Sequence, residues 1–128
     1  MPLLGFKKQF APLVESGANR QTIRLKRKDG KNPHPGDTLY LYTGLRTKGC
    51  RKLGTAICTG AWDVGITKCG PVLTGIRLDP DEAGELAARD GFSCFGDMQD
   101  FFEKEHSLPF WGLLIEWGEM EGDDGQES

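Results

Sequence analysis

The stretch Phe10-Ala-Pro-Leu-Val-Glu-Ser-Gly17, running on into Ala18-Asn19-Arg20-Gln21-Thr22-Ile23-Arg24, decides how this chain is read. Pro12 suits the first turn of a helix, where its missing N–H would have no partner, and Gly17 stops that helix within one or two turns. Thr22-Ile23-Arg24-Leu25-Lys26 then alternates polar and apolar, the period of a half-buried strand. A helix ending at a glycine and a strand starting just after it hold Asn19, Arg20, Gln21, Thr22 and Arg24 at an element edge. Within the strand Thr22 and Arg24 share one face, and Ile23 turns to the core.

Working outward, Leu3 to Phe6 reads as a short opening strand, and Lys26 to Pro35 as a basic loop rich in turn formers. Gly36-Asp37 leads into the strand Thr38-Leu-Tyr-Leu-Tyr42, followed by a glycine-bracketed loop that carries Arg46, Thr47 and Lys48. Lys52 to Trp62 forms one long strand in which Gly54 and Gly60 mark bulges, and Val72 to Leu78 forms another strand. Asp79 caps a helix that begins at Pro80, continues to about Arg89 and ends at Gly91. Gly96 to Glu105 is a further helix with Met98, Phe101 and Phe102 as its apolar stripe, and the segment from Leu108 to Trp117 ends as an apolar strand. Five or six mixed strands with two or three flanking helices give an α+β domain over residues 1–118, its sheet expected to close into a small β-barrel. Residues 119–128 are acidic and lack aromatics, so a disordered tail is expected there.

With 128 residues, 38% apolar and 27% charged, the chain has the size and balance of one globular domain. No apolar run approaches the roughly 18 residues needed to span a bilayer, and no leader pattern opens the sequence, so a cytoplasmic protein without membrane contact is expected. Cys50, Cys58, Cys69 and Cys94 match no zinc-ligand spacing and are expected to be reduced, mostly as packing residues. There is no phosphate-binding glycine loop, dinucleotide fingerprint or H-E-x-x-H, and neither metal nor cofactor is expected. The net charge of −3 hides a division: residues 1–52 sum to +9 and residues 53–128 to −12. Such a division predicts a positive lobe facing an anion.

Phe6, Phe10, Pro12, Val14, Gly17 and Arg20 to Arg24, followed by the Gly36 to Tyr42 strand, occur in an order that resembles the ASCH domain of the PUA-like group. Tyr42 to Cys50, Asp90-Gly91-Phe92 leading to Met98 and Phe101-Phe102, and the closing strand are similar to a bacterial and phage-associated branch. The resemblance implies a PUA-like barrel with a cleft for RNA, nucleotides or modified nucleosides. One ASCH group is similar to an acetylcytidine amidohydrolase that uses a lysine, a threonine and an acid. The threonine falls on Thr22, the acid near Asp90, and the lysine position is Asn19 here. An amide cannot act as the general base a lysine provides, so Lys7 or Lys8 would have to substitute.

Thr22 and Asp90 are therefore the candidate catalytic residues, with Asn19, Arg20, Gln21, Arg24, Arg46, Thr47, Lys48, Lys8, Tyr42 and Phe92 as candidate ligand-binding residues. Guanidinium groups suit bidentate contacts to phosphate or base edges, and Asn and Gln offer paired donor and acceptor atoms. Arg20, Thr22, Arg24 and Arg46 are expected in one pocket facing Asp90-Gly91-Phe92, with Lys26-Arg27-Lys28 and Lys31 tracking phosphates. Tyr40, Tyr42, Trp62 and Phe92 are available for stacking, whereas Trp111 and Trp117 are expected in the core. The first reading is a monomeric domain that binds RNA, single-stranded nucleic acid or a nucleotide-like small molecule. A hydrolase of modified nucleosides or RNA and a protein-interaction domain are the alternatives.

Overall fold

The structure is a computed structural model and describes residues 3–26, 32–44 and 47–119. Seven strands and three helices follow in the order β1 (Leu3–Phe6), α1 (Ala11–Glu15), β2 (Gln21–Arg24), β3 (Thr38–Thr43), β4 (Arg51–Thr67), β5 (Gly70–Leu73), β6 (Ile76–Arg77), α2 (Pro80–Arg89), α3 (Phe95–His106) and β7 (Phe110–Trp117). The domain is α+β, with one mixed, open sheet in which β1 and β3 run parallel and the other neighbours antiparallel.

The 17-residue strand β4 is the spine. Its first half pairs with β3, and its second half pairs with β7 on one edge and β5 on the other. Serving both sets requires a bend. The register slips where Leu41 faces Gly54 and Tyr42 faces Lys52, and again between Cys58 and Gly60. These are bulges at the glycines that marked them in the sequence.

The sheet therefore follows a path β1-β3-β4-β7-β2, with β5 and β6 branching from β4. A closed barrel would need β1 to pair with β2. It does not close: β1 pairs with β3 and β2 with β7, and no ladder joins the two ends.

Each face of the curved sheet has its own core. Val14, Leu39, Leu41, Leu53, Ile115 and Trp117 fill one side. On the other, α2 and α3 lay Leu86, Ala87, Met98 and Phe102 over Ile23, Val64, Ile66 and Leu114. β2 alternates between the two as its period demands, Ile23 on the helix side and Thr22 opposite Ile115.

Three expectations need correction. Val72 to Leu78 is not one strand but the hairpin β5–β6, turned by Thr74 and Gly75 at φ 49° and 83°. Both central residues of such a two-residue turn need positive φ, which Thr rarely adopts, so the turn gave little sequence signal. Trp111 is not in the core but 57% exposed, on the side of β7 where Gly65 stands opposite it. Its indole covers that glycine, and Trp62 covers Gly60 likewise; a Cβ at Gly65 or Gly60 would fall 2.1 Å or 2.0 Å from the ring. Of the four free cysteines only Cys58 is buried; Cys50, Cys69 and Cys94 are exposed.

Arg27, Lys28, Lys31 and Arg46, and residues 120–128 of the acidic tail, lie outside the described residues. Among the described residues no helix is long and apolar enough to cross a membrane.

Candidate functional site

A cavity of about 290 Å³ occupies the gap between β1 and β2. β1 contributes Gly5 and Phe6, β2 contributes Gln21 to Arg24, and Asn19 stands just ahead of β2. Phe10 leads into α1, Asp90 and Phe92 follow α2, and Phe101, Glu105 and His106 come from α3.

Arg24 spans the opening. Its Nη2 donates to the Gly5 carbonyl, its Nε donates to Thr22 Oγ1 at 3.3 Å, and its guanidinium carbon lies 4.9 Å from the Phe6 ring centroid. The side chain thus satisfies a carbonyl on the free edge of β1 that a closed barrel would satisfy by backbone pairing. Burial lowers its pKa to about 10, against the opposing charge of Asp90.

Asp90 follows the last turn of α2, where the carbonyl end of the helix disfavours a carboxylate. Burial raises its pKa to about 8; the hydrogen bond from Gln21 and the charge of Arg24 oppose the rise. Gln21, 3% exposed, donates through Nε2 to the Leu86 carbonyl at 3.2 Å and to Asp90 Oδ1 at 3.4 Å, tying β2 to the end of α2.

Asn19 is 4% exposed, and its backbone N–H donates to the Leu13 carbonyl at 3.0 Å. Among the described residues its carboxamide has no hydrogen-bond partner, although it lines the cavity. Gly91, at φ 93°, makes the space for it: a Cβ there would lie 2.7 Å from Asn19 Nδ2. The cavity is also lined by an aromatic cluster. Phe10, Phe92 and Phe101 meet pairwise at centroid distances of 5.4, 5.7 and 5.4 Å. At the rim Lys7 Nζ is 3.2 Å from Glu105 Oε2.

The fold therefore brings Asn19, Gln21, Thr22, Arg24, Asp90 and Phe92 together. Other candidates lie elsewhere. Arg20 bonds the Gly17 carbonyl and lines a separate recess with Thr59, Arg89 and Glu116. Thr47 donates to the Gly44 carbonyl at 2.6 Å and accepts from the Gly49 N–H, holding its own turn. Lys8 and Lys48 are exposed, Tyr42 is half-buried on β3, and none of the three lines the cavity. Lys26 pairs with Asp63, and Arg51 pairs with Glu15 at 2.6 Å, so several cations of the basic half are matched by acids. Among the described residues no group of His, Cys, Asp and Glu could hold a metal ion. Comparison with protein-family models, with curated proteins and with solved structures gave no match.

Chemically the cavity is polar and hydrogen-bonding on the β2 side and aromatic on the helix side. Its volume lies near the lower bound of roughly 300 Å³ for small-molecule sites. A flat heteroaromatic group with donors and acceptors along its edge suits both walls.

Proposed function

We propose that this is an ASCH-type domain of the PUA-like group that binds RNA or a nucleotide, taking one base into the cavity between β1 and β2. The observation that carries the reading is one half-open space lined by Asn19, Gln21, Thr22 and Arg24 together with the cluster of Phe10, Phe92 and Phe101. The strand path β1-β3-β4-β7-β2 supports a PUA-like barrel left open at its ends, with the ligand site in the opening. Titration of the full chain with nucleosides, nucleotides and short single-stranded RNA tests it. Stacking is worth roughly 1–3 kcal/mol per base, so Phe92→Ala should weaken binding about tenfold or more. Binding by Phe92→Ala and Asn19→Ala equal to wild type would sink the proposal.

A second reading, hydrolysis of an acylated nucleoside, draws on Thr22, Asp90 and Lys7 lining the same cavity. A carboxyl with a pKa of about 8 can exchange a proton near neutral pH. Lys7, rather than Asn19, would supply the amine that this chemistry uses in the similar enzymes. Release of acetate from acetylcytidine, lost in Asp90→Asn, is the outcome expected on this reading; unreacted substrate after long incubation removes it.

A further inference from the structure

Arg24 is a largely buried cation whose hydrogen bonds go to neutral acceptors, the Gly5 carbonyl and Thr22 Oγ1. Taking a guanidinium out of water is costly unless an opposite charge accompanies it. Among the described residues no carboxylate stands at ion-pair distance from it: Glu105 is engaged by Lys7, and Asp90 is held from Gln21. A guanidinium carries five N–H donors, and these contacts use only part of them. The Asn19 carboxamide, 4% exposed and without a partner among the described residues, lines the same cavity. The Asn19 amide and the Arg24 guanidinium both open on to this cavity, and both can donate to an anionic oxygen group that enters it.

We propose that Arg24 and Asn19 form a receptor for an anionic oxygen group of the ligand, and that Asp90 is a built-in competitor for the same cation. The inference rests on the cavity being the ligand site and adds the charge class of what enters it. For a nucleotide that group is a phosphate, either a terminal phosphomonoester or the phosphodiester of an RNA backbone.

The competitor makes the receptor sensitive to pH. Among the described residues the charged or titratable groups that line the cavity with Asp90 are Arg24 on β2, Lys7 after β1, and Glu105 and His106 on α3, and Arg89 precedes it in sequence at the end of α2. While Asp90 is protonated, Arg24 keeps an unanswered positive charge. Once Asp90 ionises, its carboxylate supplies that charge and repels an incoming anion. Anion affinity is therefore highest below about pH 8 and falls as pH rises through that value. Arg24 stays charged to about pH 10, so its own titration lies outside the range from 7 to 9. If only the protonated form binds, apparent affinity drops about tenfold across that range, in proportion to the competent fraction.

The experiment is calorimetric titration of the full chain with sulfate, whose charge is constant over this range, at pH 7, 8 and 9. Wild type should weaken about tenfold from pH 7 to 9; Asp90→Asn should bind with no slope; His106→Gln should retain the slope. Arg24→Met should lose sulfate, with Arg24→Lys as the second variant should the first not fold. A flat wild-type profile, a slope that survives in Asp90→Asn, or undiminished sulfate binding by both Arg24 variants overturns the receptor. Parallel titrations use a nucleoside, its 5′-monophosphate and a 5′-hydroxyl trinucleotide. A monophosphate that alone gains on the nucleoside identifies the terminal phosphate, and a trinucleotide that gains equally identifies the backbone. A nucleoside that binds as tightly as both, with no sulfate binding, overturns the receptor while base binding stands. Sulfate bound as described, with none of the three displacing it, upholds the receptor and removes the nucleotide reading.

Discussion

Between β4 and β7 the backbone ladder runs unbroken from Gly60 opposite Glu116 to Ile66 opposite Phe110, whereas between β1 and β2 the Arg24 side chain reaches across to the Gly5 carbonyl and no ladder forms. The first seam carries Leu113, Leu114 and Ile115, which bury apolar surface on both faces of β7. The second carries Gln21, Thr22 and Arg24, whose polar ends bond to the end of α2, to each other and to β1 in place of a backbone ladder. Hydrophobic burial holds the one, and side-chain hydrogen bonds span the other. The best-packed seam and the candidate ligand site thus lie between different pairs of strands in one sheet.

Breaking the apolar seam should cost most. Leu114→Ala removes a fully packed side chain and should lower unfolding free energy by about 2–5 kcal/mol in denaturant titration. Arg24→Met should change it by less than about 1 kcal/mol in either direction, since a lost hydrogen bond is offset by removal of a buried charge. Equal losses at the two sites would erase the distinction drawn between the seams.

Asp90 sharpens the same contrast. Its carboxyl has a folded pKa of about 8 against an ordinary 3.8, so the folded chain binds the extra proton. Stability from this group is present at acid pH, falls as pH rises from about 4 to about 8, and is level above that. Asp90→Asn should therefore be the more stable protein by roughly 2 kcal/mol at pH 8, with no advantage at pH 4. The figure lies well under the full linkage value because the carboxyl opens on to the cavity. An advantage independent of pH would contradict it.

Gly91→Ala, at φ 93° and against Asn19 Nδ2, should cost about 1–2 kcal/mol and weaken ligand binding with it. The smallest effect belongs to Asp79, whose capping box with Glu82 lies away from both seams. Asp79→Ala should cost about 1 kcal/mol in thermal or denaturant unfolding and leave binding as it was.

Much of this was legible where a residue's local need coincided with its place in the fold. Gly54 and Gly60 announced the bends of β4, and Asp79, Pro80 and Gly91 bounded α2. The run from Asn19 to Arg24 marked part of the cavity lining, Asn19, Gln21, Thr22 and Arg24, because a helix stop and a strand start place these polar residues at an element edge, although Arg20 turns to a separate recess. Other features were hidden because distant chemistry decides them. Glu105 and His106 reach the rim only through the packing of α3, and neither has a sequence signature. Charge summed along the chain suggested a free basic lobe, yet Lys7 and Lys26 find acids in the other half. The opening between β1 and β2 could not be read at all, since a missing ladder leaves no local trace.

The tryptophans that roof Gly65 and Gly60 carry an evolutionary consequence. A methyl group at either glycine would drive the indole off the strand, and loss of either indole would uncover a buried peptide unit. Trp111 with Gly65, and Trp62 with Gly60, are thus sterically coupled: in descendants of this chain each pair should persist intact or change on both sides together.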